Sequence, residues 1–409
     1  MKVKTNIIPI ILLLPVFIML NSCGHQKAEW KGTIEDEDGV TVVKNPLEPL
    51  NPEMQIIFEE DLTIGVQEGD ENYMFGSLVV INSDNEGNFY VTDWDRKTVK
   101  KYDHEGSYLK SIGRPGQGPG EFQNISEVRF DVEGNIYLND VANQRISILS
   151  KEGDYLRGIK VPSIFERLLM NSRGFYIAMY TEVLEEGEGR KWDYVYGLFD
   201  DKFNLVEEFL RLHQEVKAPS ERNEDTVAKV LSDLLSGMAF EPFVNYVLDT
   251  NDLIYFGYPK NYEIKVFSSE GKLMKIIQRD ILPIEINEGH REYFEQNQGE
   301  RFITGMPGRT KSLKEKIFSL IKYPKYKPAY ERFTLMENGW IFVVVDSVSD
   351  DFKLVDIFDE NGEYLAQFET DISTEWLSFN NGKAYAVATI DDYKFIKRYN
   401  FEILGYEEN

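Results

Sequence analysis

From residue 54 onward the chain alternates apolar and polar positions in short runs, and the runs return at a fixed spacing. The series Asp84, Gly87, Asn88, Phe89, Tyr90, Val91, Asp93, Val99, Tyr102, Gly106, Tyr108 and Leu109 recurs 47 residues later as Asp131, Gly134, Asn135, Ile136, Tyr137, Leu138, Asp140, Ile146, Leu149, Gly153, Tyr155 and Leu156. Alternation of period two predicts half-buried strands, and the Asx and glycine positions between them predict tight antiparallel turns. Weaker copies follow the same turn marker: Phe175 to Tyr180, Ile254 to Tyr258, Trp340 to Val345 and Ala384 to Ala388 each lead into further alternating runs. Six copies of such a unit predict an all-β fold, a six-bladed β-propeller with short helical inserts between blades. The final copy runs out after three strands, while Met54 to Ile64 is apolar, strand-like and outside every copy. Closing the ring with that segment removes exposed sheet edges, which sets the propeller at residues 54–409.

Gly113, Gly116, Gly118, Gly120, Glu121 and Phe122, followed by Asp131, Gly134, Asn135, Tyr137 and Asp140 and then by Asn143, Arg145 and Ile146, resemble the NHL-type propeller repeat in order and spacing. Copies three to six lack the Asn and Arg pair. The chain as a whole therefore resembles the divergent six-bladed propeller lipoproteins of Bacteroidetes. That resemblance implies the fold over nearly the whole mature chain and implies no particular activity.

The first 23 residues break the pattern. Lys2 and Lys4 precede an apolar run from Ile7 to Leu20, about 14 residues long and interrupted by Pro9 and Pro15. A lasting membrane span needs ~20 residues, so this is the order of an export signal. Leu20, Asn21, Ser22 and Cys23 resemble the bacterial lipobox, which implies a signal peptide at 1–22, lipid on Cys23 and a lipidated tether over 23–53. Gly24 after the cysteine resembles an outer-membrane destination, so the expected location is the cell envelope, lipid-anchored at the outer membrane and facing periplasm or medium. Cys23 is the chain's single cysteine, which excludes a disulfide framework and a cysteine zinc cluster. At 42% hydrophobic and 13% aromatic the chain can bury a substantial core, and its net charge of -25 opposes attraction to nucleic acid.

Two segments lie outside the repeat, near 211–247 and 280–333. Val227, Val230, Leu231, Leu234 and Leu235 at helical spacing predict a helix within Glu221 to Leu235; Glu288 to Gln296 and Ser312 to Ile321 predict two more. Both inserts join the outer strand of one blade to the inner strand of the next. In an up-and-down blade such links share a face with the loops between second and third strands. Those loops hold the candidate binding residues Trp94, Asp95, Asn143, Trp192, Asp391 and Asp392, and ligand sites favour variable loops on a rigid scaffold. The opposite turns are short and uniform.

The candidate chemistry is sparse. Of the four histidines, His25 lies in the tether and the rest are scattered, which gives no basis for a metal site or a serine triad. Gly113 to Gly120 lacks the Lys and Ser or Thr of a phosphate loop. With 70 acidic residues, adjacent carboxylates are expected on solvated loops, and Asp93 and Asp140 are expected as turn caps. Trp94 and Trp192 can pack on neighbouring loops as well as stack on sugar rings. No catalytic residue, metal or cofactor is assigned. The expected role is a binding module for a protein, peptide or glycan, held to the membrane by its amino-terminal lipid. The alternative is a propeller hydrolase or lactonase, gluconolactonase-like, with a divalent ion in the central pocket. An inward ring of Asp, Asn or Glu favours the enzyme, and an aromatic or insert-covered face favours binding.

Overall fold

The computed structural model describes residues 29–406 apart from 77–78, 85, 132, 163–164, 187–188, 218–222, 305–309 and 348–351. Cys23 and the export-signal segment lie outside the described residues. Blade one consists of Val79–Ser83, Phe89–Asp93, Thr98–Tyr102 and Tyr108–Ile112, and blade two of Ile125–Phe130, Ile136–Asp140, Arg145–Leu149 and Tyr155–Lys160. Inner strands Phe165–Met170, Asn245–Leu248, Arg332–Leu335 and Ser378–Asn380 open blades three to six. The protein is a six-bladed β-propeller, strand-rich with few helices.

Period-two alternation explains the ring. In blade two, Ile136, Leu138 and Leu149 join a core shared with blade one, whereas Ile146 and Ile148 join a core shared with blade three. The same division recurs at each blade interface, so the core is six wedges between sheets. Turn chemistry repeats with it. Asp84 Oδ1 accepts from the N–H groups of Glu86 and Asn88 at 3.0 and 2.9 Å, and Asp131 Oδ1 from Glu133 and Asn135 at 3.0 and 2.8 Å. Gly87 and Gly134 take the left-handed position those turns require, with φ of 81° and 84°.

The inner strands present an unpaired edge to the channel, and asparagines tie it blade to blade. Asn82 Nδ2 donates to Val128 O at 2.8 Å, Asn380 Nδ2 to Ser83 O at 3.0 Å, and Asn245 Oδ1 accepts from Phe333 N at 2.8 Å. A backbone group left without a partner in such a place costs about 1–3 kcal/mol.

The amino-terminal segment is built into the ring. Strands β1 (Thr33–Glu37) and β2 (Val40–Asn45) form a hairpin, and β2 pairs in parallel with the outer strand Leu273–Arg279 of blade four. The stretch expected as a tether is therefore docked from Thr33 onward. Asn45 explains the attachment: its Nδ2 donates to Gln278 O and Gly362 O, and its Oδ1 accepts from Tyr364 N at 2.7 Å, joining blades four and five. β3 (Gln55–Ile64) then pairs antiparallel with Tyr393–Leu404, running from Ile64 opposite Ile396 to Gln55 opposite Leu404, and supplies the outer strand of blade six. Met54 and Ile56 enter the core between blades five and six, and Ile64 that between six and one.

Blade three departs from expectation. Its later strands run Tyr176–Glu186, Gly189–Phe199 and Leu205–Lys217, well beyond the ends the repeat predicts. The alternation continues through Trp192, Tyr194 and Leu212, so the ladder of paired strands continues too. Trp192, expected in a loop, sits in a strand opposite Val183 and Gln214.

Candidate functional site

Each second strand ends where an inter-blade link passes, and in three blades an aspartate fastens the two. Asp93, buried, accepts from Gly76 N at 3.0 Å and Arg96 Nη1 at 2.8 Å. Asp140 occupies the same position in blade two, accepting from Gln123 N, Asn124 N and Asn143 Nδ2 at 3.2, 3.0 and 2.6 Å. In blade five, Asp346 binds Lys327 Nζ at 2.6 Å. Blade four has Gly257 at that position, and a Cβ there would lie 2.0 Å from Tyr330 Oη. Asp93, Asp140 and Asp346 are thus latches between link and blade, and the first two are the acids expected as turn caps.

The two inserts meet on this face. Helix α1 (Glu224–Met238) begins where Asn223 and Thr226 cap each other reciprocally. It runs past Gly237 to Met238, and Phe240 just beyond the cap holds the left-handed position with φ of 56°. The second insert holds α2 (Glu288–Phe294), a π-turn over Glu295–Gly299, α3 (Glu300–Thr304) and α4 (Lys311–Ser319). Ala228, Leu235, Phe294, Ile303 and Ile317 form a small core between the inserts, with Phe240 and Tyr323 packed on it. His290 lies at the start of α2; burial pushes its imidazole below the usual range, assisted by Lys327.

A cavity of about 2740 Å³ follows the ring axis from one face to the other. At the plain-turn end it is bordered by Asp131, Asp249, Asp252 and Glu337. At the insert end it is lined by Trp94, Phe240, Phe243, Tyr293 and Trp376, among others. Phe243 is 61% exposed, Tyr293 57% and Trp376 40%. Trp376 has φ of 54°, an outlier for a bulky side chain. It is held there by its neighbours: Val387 N donates to Glu375 O at 2.9 Å, and Lys394 Nζ binds the Glu375 carboxylate at 2.8 Å. Glu241 beside Phe243 also lines the cavity, and burial raises its carboxyl above the usual range.

The sequence-expected residues divide. Trp94 lines the cavity, with its Nε1 buried and without a hydrogen-bond partner. Asp95 is exposed beside it. Asn143 is engaged internally, donating to Gly116 O at 2.9 Å as well as to Asp140. Asp391 and Asp392, with φ of 49° and 65°, form a two-residue type I′ turn between paired Ile390 and Tyr393, and neither borders the cavity. Trp192 does not border it either; its ring packs edge-on against Tyr194 at 6.2 Å. Phe243, Tyr293 and Trp376 were missed because they lie in links and inserts. Aromatic residues concentrated in links that otherwise have no repeat pattern were the available signal. Among the described residues no group of three His, Cys, Asp or Glu side chains is placed to hold a metal ion.

The six-bladed β-propeller family DUF5128 matches residues 68–255. A putative exported protein of Bacteroides fragilis is similar at 11% identity and a TM-score of 0.51, over 89% of this chain and 99% of that one. A member of the DUF4221 family from Bacteroides vulgatus is similar at 10% identity and a TM-score of 0.47, over 86% of this chain and 99% of that one. No curated protein matches the chain. At 11% identity the likeness to the exported protein is one of fold alone. The chain is a six-bladed β-propeller that matches the DUF5128 family of that architecture over residues 68–255.

Proposed function

We propose that this protein is a lipid-anchored binding module of the cell envelope whose ligand seats at the insert-covered mouth of the channel. The observation that carries this reading is the gathering of exposed Phe243, Tyr293 and Trp376 around the cavity at that mouth. Sites for organic ligands are concave, mostly apolar and supplied with a few polar groups. The lipobox-like ending at Cys23 supports the anchor, since several acyl chains give lasting attachment where one does not.

Native mass spectrometry of the full-length protein, extracted in detergent from its own envelope, tests the seat. Wild type should retain a bound mass that a Phe243→Ala, Trp376→Ala variant loses. A bare wild type, or the same mass on both, would contradict the reading. For the anchor, Cys23→Ala should abolish uptake of labelled fatty acid and release the protein from membranes; unchanged membrane retention with no label on wild type would remove it.

A further inference from the structure

We infer that the ligand at this mouth is a neutral glycan chain of several sugar units, an assignment that rests on the mouth being the binding site. Four observations converge on it. The cavity of about 2740 Å³ spans the whole channel, well beyond the ~300–1,000 Å³ that encloses an ordinary small metabolite, so its mouth has room for a chain-like occupant.

The second observation concerns charge. Although the protein is strongly acidic, the cavity lining at the insert end sets Lys327, Arg332 and Lys353 against Glu241, Glu331 and Asp346. Lys327 and Asp346 are joined at 2.6 Å, and Arg332 Nη1 lies 3.5 Å from Thr374 O. A balanced set of fixed donors and acceptors suits hydroxyl groups. A phosphorylated or polyanionic ligand would meet as many repelling groups as attracting ones.

The third is the presentation of aromatic faces. Trp376 and Phe240 are both held in the left-handed backbone region at the same mouth, a strained arrangement that clusters at ligand sites. Phe240 is accounted for by its packing in the insert core. Trp376 is left two-fifths exposed, with its backbone fixed on both sides. An exposed indole face carried on a fixed backbone is what the C–H-bearing side of a pyranose ring packs against.

The fourth separates a glycan from a peptide. An extended peptide binds a sheet by pairing with unpaired edge groups. In this channel the inner-strand edges are partly taken by Asn82, Asn245 and Asn380 from neighbouring blades. Backbone pairing by a peptide is thereby reduced, and side chains gain weight in recognition.

The test is titration of the full-length protein in detergent with maltohexaose, cellohexaose, xylohexaose and chitohexaose, and in parallel with a pool of uncharged hexapeptides, reading tryptophan fluorescence and heat. At least one hexasaccharide should bind saturably. Trp376→Ala should weaken it tenfold or more, and Trp376→Phe should retain most of it. Tyr293→Ala serves as a second variant in case Trp376→Ala melts early. Binding by hexapeptides alone, with the same dependence on Trp376, overturns the glycan and leaves the mouth as the site. Failure of all four sugars, or sugar binding indifferent to both variants, also overturns the assignment; when native mass spectrometry shows no mouth-dependent mass either, both readings fall.

Discussion

The two faces of the ring are built from the same strands but handle the left-handed backbone differently. On the plain face the repeating turns put Gly87, Gly106, Gly134, Gly153, Gly174, Gly271, Gly339 and Gly362 in that conformation, with Phe203, Asp252 and Asn381 standing in where copies diverge. On the insert face it is also held by Lys97, Gln144, Phe240, Trp376, Asp391 and Asp392. Glycine makes a turn without strain. A side chain in the same position is held there by its surroundings, and at Trp376 the result is an exposed ring over a cavity. Both faces close hairpins this way, and the insert face adds Trp376, where the strained position leaves a side chain exposed at the cavity.

Both faces depend on ring closure, so removing residues 1–66 is the largest disturbance. That deletion takes away β3 and strips the outer edge of blade six, and cooperative melting should be lost. Deleting residues 1–47 removes the hairpin and Asn45 but leaves β3, and should lower stability by a few kcal/mol through the unpaired Tyr364 N–H and the uncovered blade-four edge. Equal melts for the two deletions would break the account of closure.

The latch and the turn of the insert face should separate cleanly. Asp140→Ala strands two backbone N–H groups and the Asn143 amide, and should destabilise by about 2–4 kcal/mol in urea denaturation. Asp392→Ala in its exposed turn should fall within about 1 kcal/mol of wild type. A near-neutral Asp140 variant would show that the latches are incidental.

Left-handed positions offer a sharper contrast. Gly87→Ala adds a Cβ that meets only ordinary contact, 3.6 Å from His104, so its expected loss of about 1–2 kcal/mol is backbone strain. Trp376→Gly releases the same strain while giving up packing of the covered part of the ring, and should stay within about 1 kcal/mol of wild type by thermal melt. A large loss there would make Trp376 a packing residue.

The smallest effect concerns pH. Lys397, helped by Thr63, holds the Glu60 carboxyl below its usual range; at Asp61 burial works upward, but Arg398 and Lys383 bring it below as well. Depressed carboxylates contribute stability above their unfolded values, near 4, and lose it as pH falls through the folded ones. These are partly exposed pairs, worth at most about 1 kcal/mol each. Melts at pH 6 and pH 3 should therefore show a slightly smaller acid loss for Glu60→Gln, Asp61→Asn than for wild type. An identical loss would remove these pairs from the closing strand's contribution.

The architecture was legible because the 47-residue offset carries both the alternation and the Asx and glycine turns, which fix strands and connections together. Placing the inserts on one face was legible too, since it follows from strand order. The docking of β1 and β2 was not: its determinant is Asn45, whose partners Gln278, Gly362 and Tyr364 are distant in sequence. Among the candidate site residues only Trp94, of those named from sequence, lines the cavity. Asp391 and Asp392 look functional as an acidic pair, yet they are there because short polar side chains tolerate a type I′ turn. Trp376 went unmarked because its importance lies in a backbone angle and a neighbouring cavity.

The central claim, that the insert-covered mouth is the ligand-binding end, is tested most directly by site-specific photocrosslinking in intact cells. A benzoylphenylalanine is placed at Trp376, or at exposed Glu105 on the plain face, and the adducts are compared after irradiation. A discrete adduct that excess hexasaccharide suppresses is expected from position 376, and none from position 105. An adduct from position 105 alone, or equal adducts from both, would contradict it.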